Sequence, residues 1–198
     1  MNKKGKIVSI SIGHFVHDVY TSFLSPILPL LIEQLQLTYS LAGALTVFLR
    51  LPTILNPIIG IISYRIKMKY FVIIAPLITS IAMTLFVRAH NYSSLAILLL
   101  IAGFSSSLYH IPAPVLIKRL SGKRTGLGMS IFMIGGEGAR TVGPILLMSI
   151  ISLYGLQNIY RLIPAGFITS LLLYYVLKDV EEPVKILIAA LVESGRDA

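Results

Sequence analysis

The sequence contains no cysteine and few charged residues. None of its 198 residues is a cysteine, so neither a disulfide framework nor a thiolate metal site can form. Only 13% of the residues are charged and 56% are hydrophobic, and the mean hydropathy is +0.85. A soluble domain typically carries about 25% charged residues to cover its surface. The composition therefore excludes a water-soluble domain and favours a protein whose surface faces lipid.

Common enzyme motifs are also missing. The chain has no phosphate-binding loop, no H-E-x-x-H and no G-x-S-x-G. Three consecutive serines, 105–107, precede His110, but they fall on one predicted helix, whereas catalytic partners must converge in space. We interpret these residues as the polar lining of a cavity. We predict a protein that is not an enzyme and that uses no cofactor.

The basic start of the chain resembles a signal peptide only in part. Lys3, Lys4 and Lys6 precede an apolar stretch, as in a secretory leader. That stretch continues to Ile32 without the small-x-small pattern that a signal peptidase reads. We expect it to be the first membrane span of the mature protein.

Six long apolar segments follow one another along the chain. A helix needs about 20 apolar residues to cross the hydrocarbon core, and it satisfies its own backbone polar groups there. The predicted spans cover residues 7–32, 40–64, 70–88, 94–117, 127–154 and 160–178. The sequence therefore predicts an all-α membrane protein whose six transmembrane helices form one bundle over residues 1–180. Residues 181–198 are predicted to be a cytoplasmic tail that contains a short amphipathic helix.

The basic residues are distributed unevenly between the two sides of this bundle. The formal charge is +9, which in a nucleic-acid-binding protein would be clustered on one exposed face or tail. Here 13 of the 17 Lys and Arg residues lie before span one, after spans two and four, or after span six. Cytoplasmic loops are enriched in Lys and Arg. We therefore predict both termini in the cytoplasm, a plasma-membrane location and no nucleic-acid partner.

Seven charged or histidine residues fall inside the predicted spans and away from the span ends, where they are costly and therefore candidates for function. They are His14, His17, Asp18, Arg50, His110, Glu137 and Arg140. His14 and Asp18 are four residues apart on one helix, and Glu137 and Arg140 are three apart, so each pair can interact. This leaves Asp18 and Arg50 as a predicted pair between helices. We interpret the seven as a substrate- and proton-binding set; the alternative is a set of ion pairs that only fixes helix packing.

A metal site is a second interpretation of the histidines. Imidazole and carboxylate groups from His14, His17, Asp18 and His110 suit Zn²⁺ and similar ions. Three of these residues crowd together on one helix, and no other histidine is close in sequence. The sequence-based expectation is therefore that the chain binds no metal.

Three local patterns resemble a known family. They are Gly-His-Phe-Val-His-Asp-Val-Tyr at 13–20, Tyr109-His110 followed by Pro112, and Gly-Gly-Glu-Gly-Ala-Arg-Thr-Val-Gly-Pro at 135–144. With the six spans and the basic loops, they resemble the N-terminal half of a major facilitator superfamily transporter, of the fosmidomycin-resistance type of efflux carrier. The resemblance extends to about residue 178.

The family's loop motif after span two, G-x-x-x-D-R-x-G-R-K, is partly present. Gly60, Arg65 and Lys69 match it and are implied to belong to a gating loop. Tyr64 stands at the acidic position, and Lys67 stands where the family has a second glycine. The antiporter motif of span five is represented by Gly143 and Pro144, which predict a helix bend. The arginine that proton-coupled drug carriers often have in span four is missing.

The resemblance also implies a mechanism. A complete superfamily member has two six-span halves, so we expect this chain to work as a homodimer or with another six-span half. It would move a small organic solute or drug by alternating access, with Asp18, His14 and His17 handling a proton. Arg50 and Arg140 would attract a polar or anionic substrate. The competing expectations are a non-transporting membrane subunit and a channel.

Overall fold

A computed structural model describes residues 2–65 and 67–180. These residues form nine α-helices connected by turns and short 3₁₀ segments, and they contain no strand. The helices are α1 (Lys3–Thr21), α2 (Leu24–Leu35), α3 (Tyr39–Arg50), α4 (Asn56–Arg65), α5 (Lys69–Leu85), α6 (Tyr92–His110), α7 (Pro112–Ser121), α8 (Thr125–Tyr154) and α9 (Ile163–Leu177). The all-α prediction is confirmed for this part of the chain. The predicted tail helix at 181–198 lies outside the described residues.

The helices group into five segments that are long and apolar enough to cross a membrane. The segments are Lys3–Leu35, Tyr39–Ile62, Lys69–Arg88, Tyr92–Tyr154 and Leu156–Leu177. The sequence predicted six spans, and the difference lies in the fourth segment, which contains both predicted spans 94–117 and 127–154.

The fourth segment turns near its middle. It is 63 residues long. A straight helix of that length would extend about 95 Å, roughly three times the hydrocarbon thickness. Gly122 ends α7 with φ 54° and ψ −121°, a conformation that favours glycine, and α7 packs against α8 beyond it. The two predicted spans therefore lie on opposite sides of this turn.

Two predicted spans are divided into shorter helices. Span one consists of α1 and α2, which are separated at Ser22 and Phe23 just after the last turn of α1. Span two consists of α3 and α4, joined by a 3₁₀ turn, Leu51–Leu55, that contains Pro52. Proline lacks a backbone N–H and cannot continue the regular hydrogen-bond pattern, which explains the tighter turn.

Helix α1 is the centre of the bundle. It packs against α5, α7, α8 and α9, and it also reaches α6. Its N-terminal part contributes Ile7 and Ile10 to one apolar core, and its C-terminal part contributes Val19 and Tyr20 to another. The polar stretch of α1, which contains His14, His17 and Asp18, is buried between these two cores.

Glycines allow α8 to lie directly against α1. A Cβ atom at Gly135 would be 2.5 Å from the Ser11 carbonyl oxygen, and one at Gly136 would be 2.5 Å from the His14 ring. Such distances are too short for any side chain, so only glycine permits this approach. Helix α8 is a single α-helix through Gly143 and Pro144, and the bend predicted there stays a prediction.

Candidate functional site

A polar cavity of about 490 Å³ opens between α1, α6, α8 and the α3–α4 turn. Four of the seven predicted site residues line it: Asp18, Arg50, His110 and Arg140. Hydroxyl and amide side chains complete the polar lining, among them Thr21, Ser22, Ser106 and Asn56. The cavity is therefore suited to a polar or charged solute.

Asp18 lies at the inner wall of this cavity, between two imidazole rings. Its Oδ2 atom is 3.4 Å from His14 Nε2 on the same helix, and its Oδ1 atom is 3.2 Å from His110 Nε2 on α6. The two Nε2 atoms are 3.1 Å apart. The Asp18 side chain is only 2% exposed and that of His110 is 34% exposed. We call His14, Asp18 and His110 the imidazole–carboxylate cluster.

Backbone carbonyl groups determine which ring nitrogens carry a proton. His14 Nδ1 donates to the Phe132 carbonyl oxygen at 2.8 Å, and His110 Nδ1 donates to the Ser106 carbonyl oxygen at 2.9 Å. A carbonyl oxygen can only accept, so each Nδ1 must carry hydrogen. In the neutral rings both Nε2 atoms are then bare acceptors. Three acceptor groups, two nitrogens and a carboxylate, therefore face one another, and Asp18 Oδ1 accepts no hydrogen bond from any described residue.

His17 was predicted to act with Asp18 but belongs to a different polar chain. Ser105 donates to the Ala75 carbonyl oxygen at 2.9 Å, and Thr79 donates to Ser105 at 2.8 Å. The Thr79 hydroxyl is then left to accept from His17 Nδ1 at 3.2 Å. His17 is fully buried and stacks on Tyr109, with ring centroids 5.0 Å apart. It does not line the cavity.

The predicted pair between Asp18 and Arg50 is wrong. Arg50 lies on the cavity wall, but no ion pair within 4.0 Å joins it to Asp18 in the described part of the chain. The reason is that α6 brings His110 to the carboxylate while α3 ends with Arg50 exposed across the cavity.

Glu137 and Arg140 form an ion pair along α8, with 2.8 Å between Oε1 and Nη1. The side chains are 59% and 63% exposed, respectively. Both residues lie near the middle of a 30-residue apolar helix. The ion pair is therefore exposed on the surface of a helix that is long and apolar enough to cross a membrane.

Comparison with known proteins identifies the family of this chain. The profile of the Major Facilitator Superfamily matches residues 10–193, nearly the whole chain. The chain belongs to the Major Facilitator Superfamily. It is also 28% identical over 170 residues to the fosmidomycin resistance protein of Escherichia coli strain K12. That match covers 85% of this chain and 42% of the relative, so the chain spans less than half of the relative's length.

The predicted resemblance is thus confirmed: this is a multi-pass membrane protein of a transporter superfamily, and it is similar to a fosmidomycin resistance protein. The specific pattern at 135–144 has a structural explanation in this superfamily member. Its glycines lie against α1, and Gly136 in particular leaves room for the His14 ring, which stacks on Phe132 with centroids 3.9 Å apart.

The superfamily loop motif is only partly explained by the structure. Lys69 is buried, and its Nζ atom donates to the carbonyl oxygens of Lys178 at 2.6 Å and Val180 at 3.0 Å. These carbonyls follow the end of α9, where a cation is favoured by the helix dipole. Lys69 therefore links the start of α5 to the end of α9 by hydrogen bonds. Gly60 lies in α4 and Arg65 ends it, and a gating role for all three residues stays a prediction.

Sequence reasoning found the members of the cluster but missed its supporting groups. Thr79 stood in no recognised pattern, and a backbone carbonyl such as that of Phe132 leaves no mark in a sequence. Ser105 was predicted to line the cavity, but it bonds to Thr79 and the Ala75 carbonyl instead. The spacing of Ser106 and His110, four residues apart on one helix, was a usable signal of their contact.

Proposed function

We propose that this chain is a secondary active transporter that moves a small organic solute by alternating access, driven by protons. The observation that carries the proposal is a buried carboxylate held between two imidazoles at the wall of a polar cavity. Superfamily membership supports a transporter, and the similarity to a drug-resistance protein supports efflux of an organic compound.

The cavity favours an anionic or polar solute. Arg50 and Arg140 lie on its wall, and the only carboxylate among its described lining residues is Asp18. The Asp18 carboxylate lies beside the imidazoles and Arg140 is paired with Glu137, so Arg50 is the lining guanidinium without an ion pair among the described residues and is available for a solute. Arginine has the geometry to bind carboxylate or phosphate oxygens in pairs.

The imidazole–carboxylate cluster is the proposed proton site. Its three acceptor groups face one another at 3.1–3.4 Å, an arrangement that a shared proton stabilises. The groups around it are His17 on α1, Arg140 on α8 and Arg50 across the cavity. Release of the proton would leave a buried carboxylate anion, which would attract the nearby guanidinium groups and repel an anionic solute from the cavity. Protonation and solute binding are in this way coupled through one cavity.

The substitution Asp18→Asn tests this coupling. Asparagine has nearly the same shape but cannot bind and release a proton at physiological pH. Fosmidomycin is the first solute to use, because the similar protein is named for resistance to it. In proteoliposomes we expect pH-gradient-driven flux of fosmidomycin to fall to the level of protein-free liposomes.

The exposed Glu33 at the end of α2 provides a matched control. Glu33→Gln makes the same carboxyl-to-amide change away from the cavity and should leave flux unchanged. Undiminished flux in Asp18→Asn would remove Asp18 from proton coupling. Flux that does not saturate with concentration would favour a channel, and no flux of any tested solute in the unmodified protein would favour a non-transporting subunit.

We also propose six membrane crossings with both termini in the cytoplasm of a plasma-membrane protein. The turn at Gly122 supports division of the 63-residue segment into two crossings. Lys118, Arg119, Lys123 and Arg124 surround this turn, and Lys and Arg are enriched in cytoplasmic loops.

Labelling with a membrane-impermeant maleimide tests this topology, and the cysteine-free chain makes it simple. His90→Cys lies between α5 and α6, Lys123→Cys lies at the Gly122 turn, and both positions are exposed. In intact cells we expect labelling at position 90 only, and labelling at both positions after permeabilisation. Labelling of position 123 from outside would contradict the orientation.

We further propose that a second six-helix unit covers the face that carries Glu137 and Arg140. An arginine at the bilayer centre costs about 2.5–3.5 kcal/mol on insertion scales, so lipid is a poor neighbour for this ion pair. A second copy of this chain is one candidate, since twofold dimers are the commonest oligomers, and another six-span half is the alternative.

Single-cysteine cross-linking distinguishes these candidates. Thr141→Cys lies one turn from Glu137 on the same exposed face of α8, whereas Ile168→Cys lies on the apolar surface of α9. We expect oxidation in membranes to give a dimer with Thr141→Cys and not with Ile168→Cys. A monomer in both variants, and by native mass measurement in mild detergent, would contradict pairing of the chain with itself.

A further inference from the structure

We propose that His14, Asp18 and His110 form a binding site for a divalent transition-metal ion such as Zn²⁺, with one coordination position open to the cavity. The site uses the same three side chains as the proposed proton site, so a metal ion and a proton would compete for it, but metal binding does not require that the chain transports a solute. The proposal is carried by the geometry of the three side chains, by the groups that orient them and by their position at the cavity wall.

The distances between the ligand atoms match those of a metal site. Zinc binds imidazole nitrogen and carboxylate oxygen at about 2.0–2.2 Å, so two ligands of a tetrahedral ion are about 3.3–3.6 Å apart. The cluster has 3.1 Å between the two Nε2 atoms, and 3.2 and 3.4 Å from these nitrogens to the Asp18 oxygens. One ligand atom from each of the three residues lies within 4.8 Å of the others. An ion therefore fits among them with small side-chain adjustments.

The ring nitrogens are oriented as in known metal sites. A histidine that binds metal through one nitrogen usually donates the other N–H to a carbonyl or carboxylate. His14 donates from Nδ1 to the Phe132 carbonyl, and His110 donates from Nδ1 to the Ser106 carbonyl. Both Nε2 atoms thereby carry free lone pairs, and they lie within 3.4 Å of the Asp18 oxygens and 3.1 Å from each other. Without a bound cation, three acceptors would face one another in a buried place.

The sequence argued against a metal site because its ligands would crowd together on one helix, and the structure shows that they do not. Three ligands on one helix, His14, His17 and Asp18, would crowd each other. In the folded chain His17 is bonded to Thr79 on α5 instead, and His110 approaches from α6. The ligands therefore come from two helices, and residues 14 and 18 share a face of α1 because they are one turn apart.

The exposure of the cluster indicates an exchangeable ion. The His14 and Asp18 side chains are 4% and 2% exposed, whereas His110 is 34% exposed. Asp18 and His110 both line the cavity, so an ion can enter from there. Structural zinc sites have four protein ligands, whereas three protein ligands leave a position for water or a small molecule. Two imidazoles and one carboxylate favour Zn²⁺, Co²⁺ or Ni²⁺ over Mg²⁺ and Ca²⁺, which prefer oxygen ligands.

Equilibrium metal binding to the purified full chain tests the site. The chain is purified in detergent with its affinity tag removed, since a histidine tag would itself bind metal. Zn²⁺ is titrated by calorimetry, and Co²⁺ is followed by its visible absorption, which reports coordination number. We expect one saturable site per chain, a four-coordinate Co²⁺ spectrum, and no comparable binding of Mg²⁺.

Substitutions of single residues show which side chains bind the metal ion. Asp18→Asn and His110→Gln should each weaken Zn²⁺ affinity by at least about 10–100-fold, the loss caused by removing even an outer-shell partner. His90→Gln is the matched control, because His90 is the exposed histidine between α5 and α6, and it should leave the affinity unchanged. Size-exclusion profiles and thermal unfolding of each variant show whether it is folded.

The proposal is overturned if the unmodified chain shows no saturable Zn²⁺ binding, or gives only a six-coordinate Co²⁺ spectrum. It is also overturned if folded Asp18→Asn and His110→Gln both retain full affinity, or if His90→Gln abolishes binding. When a cluster variant does not fold, the Co²⁺ spectrum of the unmodified chain decides. The measurement uses no solute and no gradient, so its failure is separate from a failure of transport.

Discussion

The contact between the Asp18 carboxylate and two imidazole rings is the interaction on which the arrangement of this bundle depends. The carboxylate is buried, and burial of a charge is tolerated only when polar groups surround it. His14 on α1 and His110 on α6 lie against it with acceptor nitrogens, so a proton or cation shared among the three groups is what stabilises the charge, and each ring is in turn held by a backbone carbonyl, one on α8 and one on α6. The Asp18 side chain and the two rings beside it thus connect three helices, α1, α6 and α8.

The packing around α1 preserves this contact. Apolar cores lie on both sides of the polar stretch, so that α1 is fixed at its two ends while its centre carries the charge. The close approach of α8 at Gly135 and Gly136 brings the Phe132 carbonyl within reach of His14. A larger side chain at Gly136 would occupy the place of the His14 ring, and the proton on Nδ1 would lose its acceptor. Glycine in α8 is therefore part of the chemistry of the site as well as of its packing.

Much of the fold was predictable from the sequence, because long apolar segments in a chain of low charge leave few alternatives to membrane helices. The count of segments differed because predicted spans four and five belong to one helical stretch with a turn at Gly122. The contact between His14 and Asp18 followed from helical periodicity. The approach of His110, 96 residues from His14 in sequence, did not, because it depends on how α6 packs against its neighbours.

His17 shows a second limit of sequence reasoning. Successive residues of a helix point about 100° apart, so His17 and Asp18 need not face the same cavity. Local spacing left open which of the two would face it. In the structure His17 bonds to Thr79 on α5, which in turn bonds to Ser105 on α6, and Asp18 is the residue that faces the cavity. The Asp18–Arg50 pair failed for a related reason, since charge balance alone does not say which partner is nearest.

The central claim is that His14 and His110 keep their protons on Nδ1 and place bare Nε2 atoms beside the Asp18 carboxylate. The most direct test is nitrogen NMR of the chain labelled with ¹⁵N-histidine, in lipid bilayers at mildly alkaline pH with chelator present. Loss of signals in His14→Gln and His110→Gln assigns the two rings. The account predicts a protonated Nδ1 and an unprotonated Nε2 in both residues; a bare Nδ1 in either one would contradict it.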